Sequence, residues 1–103
     1  MENEETKLKF VRTRPYTYEC RIKKEGILLG WMMLTNLEVS AWEIKIYPDG
    51  ERNSFRFRMK KFRGSQANAE AAAVAFFRKS IEIEYSRLKS ILEALENHEE
   101  STN

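Results

Sequence analysis

The sequence predicts an α+β fold: an antiparallel sheet of four to five strands over residues 7–63, followed by one long C-terminal helix over 65–97 packed on the sheet. Three observations carry this. Apolar and polar residues alternate with a period of two through most of the first 63 residues, the repeat of a strand with one buried face. Turn-forming residues separate the segments, and every connection is too short for a parallel crossover. After Gly64 neither Gly nor Pro recurs, and six alanines from Ala67 to Ala75 favour helix.

The elements follow in order. Residues 7–12 read as a short strand with Leu8 and Phe10 on one side, interrupted at Pro15. In 16–24, Tyr16, Tyr18, Cys20 and Ile22 oppose Thr17, Glu19, Arg21 and Lys23. Lys24-Glu25-Gly26 is a tight turn, since Gly accepts positive φ without steric cost. Residues 27–34 form an apolar strand that completes a hairpin, and 35–40 are ambiguous. In 41–47, Trp42, Ile44 and Ile46 oppose Glu43, Lys45 and Tyr47. Pro48-Asp49-Gly50 is a second turn. In 54–62, Phe55, Phe57 and Met59 alternate with Arg56, Arg58 and Lys60. The alternation breaks at Lys61-Phe62-Arg63, where a bulge or a strand end is expected. Ser65 caps the helix, with Asn68 as the second choice. The expected core is Tyr18, Ile22, Leu28, Trp42, Ile44, Ile46, Phe55, Phe57, Phe76, Phe77 and Ile81.

Helix length is an argument in itself. About 30 residues span about 45 Å, whereas strands of six to nine residues cover about 20–30 Å. Val74, Ile81, Tyr85, Leu88, Leu92 and Leu95 form a heptad-like stripe. Its far half, Leu88, Ile91, Leu92 and Leu95, outruns the sheet, so a homodimer interface is expected there; a frayed helix end is the alternative.

With 103 residues there is room for one domain, 7–97, flanked by polar, acidic ends at 1–6 and 98–103 that are expected to be disordered. The net charge of +2 conceals an asymmetry: residues 7–64 carry 14 Lys/Arg against 6 Asp/Glu, and 65–103 carry 4 against 7. That bias favours an anionic partner. The lone Cys20 precludes an internal disulfide and fits a reducing compartment. The acidic opening is unlike a signal peptide, and the longest apolar run, 26–34, is too short for a membrane helix. A cytoplasmic protein with no membrane partner is the expectation.

Catalytic constellations are missing from the pattern. His98, the one histidine, has no cysteine at ligand spacing, so no metal site is expected. Cys20 lies on the apolar side of its strand with no histidine on a core element to serve it. Glu82 and Glu84 do not share a helix face, and Glu93 and Glu96 belong to a polar one. No glycine-rich phosphate loop occurs. The chain is therefore not expected to be an enzyme or to hold a cofactor.

The basic strand is the remaining constellation. If the core lies under the aromatic row, Arg21, Lys23, Lys45, Arg56, Arg58 and Lys60 reach one solvent face, joined by Arg63, with Tyr47 placed to stack on a base. An ordinary solvated face with cross-strand pairs such as Arg21 with Glu43 is the competing expectation. Residues 41–80 carry Trp42 at a strand start, the Pro48-Asp49-Gly50 turn, the basic-aromatic strand and a helix with Ala69-Glu70-Ala71-Ala72. This segment resembles the three-stranded DNA-binding domain of plant ethylene-response factors and tyrosine-recombinase arm-binding domains. The resemblance implies a sheet laid on DNA. The expected function is non-catalytic nucleic-acid binding, as a small regulator or accessory factor. The alternative is a protein-interaction module, an adaptor or a mobile-element-encoded inhibitor, using the helix stripe or presenting the basic face to an acidic protein.

Overall fold

The computed structural model describes residues 8–101; the expected acidic tail at 1–6 lies outside the described residues, as do residues 102 and 103. Five strands, β1 (Val11–Arg14), β2 (Thr17–Lys24), β3 (Ile27–Glu38), β4 (Ala41–Tyr47) and β5 (Arg58–Arg63), precede one helix, α1 (Gln66–Ser101). The strands form an antiparallel sheet in chain order, and α1 packs on β3, β4 and β5. This is the α+β architecture that the periodicity predicts. No helix of the described residues is long and apolar enough to cross a membrane.

Local chemistry sets the turns. Pro15 fixes φ at the first corner of the β1–β2 turn, and Tyr16 follows at φ 63°, the left-handed position of a type II turn. Tyr16 is therefore a turn residue, not the first residue of a strand. Glu25 and Gly26, both at positive φ, close the β2–β3 hairpin as a type I′ turn. The ambiguous stretch 35–40 continues β3 as far as Glu38. There the ladder shifts register, and Asn36 Nδ2 stabilises the irregularity by donating to the carbonyls of Glu38 (2.9 Å) and Ala41 (3.0 Å).

Residues paired across an antiparallel ladder point to the same face. One face collects Cys20, Met32, Leu34, Trp42, Ile44 and Ile46, all buried. α1 covers this face with Ala69 and Ala73, both fully buried, and with Phe76 and Phe77. The small alanines let the helix backbone approach the sheet closely. Ser65 is the cap, its Oγ accepting from the Asn68 N–H at 3.1 Å. Gly64 makes the strand-to-helix corner at φ 149°, and its carbonyl accepts the Trp42 indole N–H at 3.0 Å.

Four expectations require correction. β5 begins at Arg58, because its partner β4 ends at Tyr47, just before Pro48, which has no N–H to donate to a ladder. Residues 54–57 instead fold back locally: the Ser54 carbonyl accepts the Phe57 N–H at 3.1 Å, and Ser54 Oγ accepts the Arg56 N–H at 3.0 Å. Second, the strand expected over 7–12 is β1 at Val11–Arg14, with residues 8–10 outside it; at Lys61-Phe62-Arg63 the ladder with β4 has no register shift, so of the two expected alternatives the strand end is the one found. Third, Leu28 (37%), Ile81 (41%) and Phe55 (76%) are exposed, and Phe57 packs on the opposite face of the sheet. Fourth, α1 runs on through the expected tail, His98 included, to Ser101.

At 36 residues α1 is about 54 Å long. Glu84 is its last residue that is not solvent-exposed, and every residue from Tyr85 to Glu100 is exposed. The chain is accordingly 62 Å long but only 33 and 23 Å across.

Phe77 is seated directly on β3. A Cβ at Gly30 would stand 2.8 Å from the Phe77 ring and 3.1 Å from the carbonyls of Tyr47 and Pro48. Gly30→Ala should therefore destabilise the fold by about 1–3 kcal/mol, measured by urea denaturation. A variant as stable as the parent would mean that Phe77 does not need this seat.

Candidate nucleic-acid interface

The β4–β5 register divides the anticipated cations. Trp42 pairs with Phe62, Ile44 with Lys60 and Ile46 with Arg58. Phe62 packs against the helix-covered core, so Lys60 and Arg58 stand on the helix side of the sheet, while Met59 and Lys61 face the other way. The inward row of β5 is therefore the opposite of the expected one, and no single face carries all the cations.

On the open face, most of them are paired. Arg21 donates to Glu19 at 3.1 Å, and Lys45 lies 3.6 Å from Glu43; both pairs are within one strand, not across strands. Arg63 lies 3.6 Å from Glu38. Glu19 is buried and also accepts from Thr13 Oγ1 at 3.0 Å. Lys23 is exposed near the end of the β2–β3 hairpin. Tyr47 is buried: its ring stacks on Trp31 at 4.1 Å and meets Phe57 at 5.1 Å. The guanidinium groups of Arg21 and Arg52 lie 5.6 and 5.3 Å from the Trp31 ring centroid. These groups make a second small core with Met33, and Tyr47 has no free ring face for a base. The unbroken run Trp31-Met32-Met33-Leu34 is the sequence signal for a strand buried on both faces.

On the helix side, β5, the 48–57 loop and α1 enclose a cleft of about 350 Å³ lined by Arg56, Arg58, Phe76, Lys79, Ser80 and Glu84 among others. Arg56 Nη2 donates to Glu84 at 3.2 Å, and its Nη1 lies 3.9 Å from Asp49. Arg58 Nη1 donates to the carbonyls of Phe55 (2.7 Å) and Phe57 (2.8 Å). Lys60 Nζ stands 5.3 Å from the Phe76 ring centroid. Among the described residues, Arg58, Lys60 and Lys79 form no ion pair with a carboxylate. Arg56 is thus a structural tie, while Arg58 and Lys60 are available cations. Lys79 joins them only because α1 crosses beside β5.

The two acids at the cleft are held ionised. Hydrogen bonds from Arg87 (2.6 Å) and then Arg56 lower the Glu84 pKa below its ordinary 4.5. The Ser54 hydroxyl, foremost, lowers that of Asp49. Burial pushes the Cys20 thiol up, which keeps it protonated and inert. Among the described residues no cluster of His, Cys, Asp or Glu could hold a metal ion.

Comparison with family models, curated proteins and solved structures finds no match, so function rests on the site alone.

A carboxyl whose pKa is lower folded than unfolded stabilises the fold above its unfolded pKa, and that contribution is lost as pH falls through the folded value. Glu84 and Asp49 are both of this kind. Glu84→Gln should melt slightly earlier than the parent at pH 7, and the difference should shrink as pH is lowered below about 4.5. Thermal melts from pH 7 to pH 3 test this; a constant difference at every pH would refute it.

Proposed function

We propose that the protein is a non-catalytic nucleic-acid-binding protein that grips phosphates along the seam between β5 and α1 and acts as a homodimer. The supporting observation is that Arg58 and Lys79, from two elements, line one cleft, that Lys60 reaches its edge over the Phe76 ring, and that among the described residues none of the three is paired with a carboxylate. A sheet laid flat on DNA, as the resemblance of residues 41–80 implies, would instead use the open face. There Arg21, Arg63 and Lys45 are paired with Glu19, Glu38 and Glu43, Arg52 lies over the Trp31 ring, and Tyr47 is buried. We place the protein in the cytoplasm, where a lone buried thiol stays reduced.

A second reading, a protein-interaction module, draws on the exposed helix arm. Tyr85, Leu88, Leu92 and Leu95 continue a heptad spacing, and Ile91 widens the stripe; all are between 44% and 64% exposed. With Ile81 they offer roughly 600 Å² per copy, so that a symmetric pair would bury about 1,200 Å², the lower bound of a specific interface. A second copy is the occupant favoured here, because the same stripe is then buried twice.

Two outcomes are expected. Binding of fluorescent oligonucleotides should weaken steeply with salt, and Arg58→Gln with Lys60→Gln should lower affinity at least tenfold and flatten the log–log salt slope by about two. Salt-independent binding, or none, would exclude phosphate contacts on the seam. Leu88→Glu with Leu92→Glu should convert a dimer to a monomer in sedimentation without unfolding it, since both positions are exposed. A parent protein that sediments as a monomer at micromolar concentration would remove the dimer.

A further inference from the structure

Phe55 is the most exposed of the aromatic side chains, at 76%, and it stands inside the most cationic segment of the chain. It is not a loose loop residue. The Arg56 guanidinium lies 4.6 Å from its ring centroid, and Arg56 is itself anchored to Glu84 on α1. The Phe55 carbonyl accepts from Arg58 Nη1 at 2.7 Å, which ties the Phe55 backbone to that cation. A guanidinium behind an outward-facing ring, with unpaired cations alongside, has the makings of a stacking platform.

The cations extend the platform in one direction. Arg58 and Lys60 point the same way from one strand, about 7 Å apart, and Lys79 faces the same cleft from the helix. The cleft, about 350 Å³ with Phe76 in its wall, has the volume of a single small ligand and cannot admit a duplex. A base in duplex keeps both ring faces in its own stack and offers Phe55 nothing to lie against. An unpaired base offers a free face. Asp49 and Glu84 also line the cleft, but Arg56 lies against both and Arg87 against Glu84, and with Arg58 and Lys79 in the lining the net charge there is positive.

We infer that the seam recognises single-stranded nucleic acid, with phosphates on Arg58, Lys60 and Lys79 and one unpaired base stacked on Phe55. This rests on the phosphate-binding reading of the same seam and adds the state of the strand to it.

The test is fluorescence anisotropy of the full chain with a fluorescein-labelled 15-nucleotide oligo(dT) and with a labelled 15-base-pair duplex, at several salt concentrations. The single strand should bind at least tenfold more tightly than the duplex. Phe55→Leu, which keeps an apolar side chain but removes the ring, should weaken single-strand binding about 5- to 100-fold and leave its salt slope unchanged. Phe55→Trp should restore it. Because Phe55 is exposed, these variants should match the parent in urea denaturation. Equal affinity for both oligonucleotides, or an unaffected Phe55→Leu variant, overturns the inference while leaving phosphate binding on the seam intact. Salt-independent binding or no binding of either probe overturns both.

Discussion

The packing of Phe62 against Trp42 decides how this protein presents its charge. Side chains alternate along a strand, so burying one residue commits every second residue to the same face. Phe62 lies opposite Trp42 in the ladder and joins the helix-covered core. Lys60 and Arg58 then have to stand on that face too. They avoid burial because β5 is the outer strand of the sheet, where the helix does not cover them. A cationic outer strand also resists edge-to-edge pairing with another sheet, so the same residues have a structural use whether or not they hold phosphate.

The second constraint is a mismatch of lengths. The sheet offers α1 support from Ala69 to about Glu84, where Arg56 binds the helix for the last time. Beyond it, every residue from Tyr85 to Glu100 is exposed. Glu84 and Asp49, through Arg56 and Ser54, tie the 48–57 loop to the helix at that point. The cleft, the exposed Phe55 and the start of the free arm therefore share one end of the molecule, and all depend on the same small polar cluster. Exposed ion pairs of this kind contribute little stability singly; their effect here is to fix geometry.

The open face has its own logic. No helix covers it, yet Trp31, Met33 and Tyr47 are buried, because arginine side chains and Phe57 lie over them. Arg21 and Arg52 thus act partly as covering groups. A cation count taken from the sequence overstates the charge this face can lend to a partner.

Much of the fold was legible in the sequence because it is decided locally. The strand Ala41–Tyr47, the turns at Gly26 and at Pro48-Asp49-Gly50, the Ser65 cap and a helix too long for its sheet all follow from periodicity, turn chemistry and propensity over neighbouring residues. The boundaries that went astray have local causes as well: hydrogen bonds from Ser54 and the left-handed Tyr16 override an alternating pattern. Which row of the Phe/Arg strand turns inward was decided only by tertiary structure. Both Phe57 and Phe62 are apolar, they lie five residues apart on opposite parities, and local preference ranks neither above the other. Pairing with β4 breaks the tie, and it moves Arg58 and Lys60 from the open face to the helix side. The cleft with Lys79 is likewise invisible in the sequence, since it exists only where α1 passes beside β5, at a separation that no local pattern encodes.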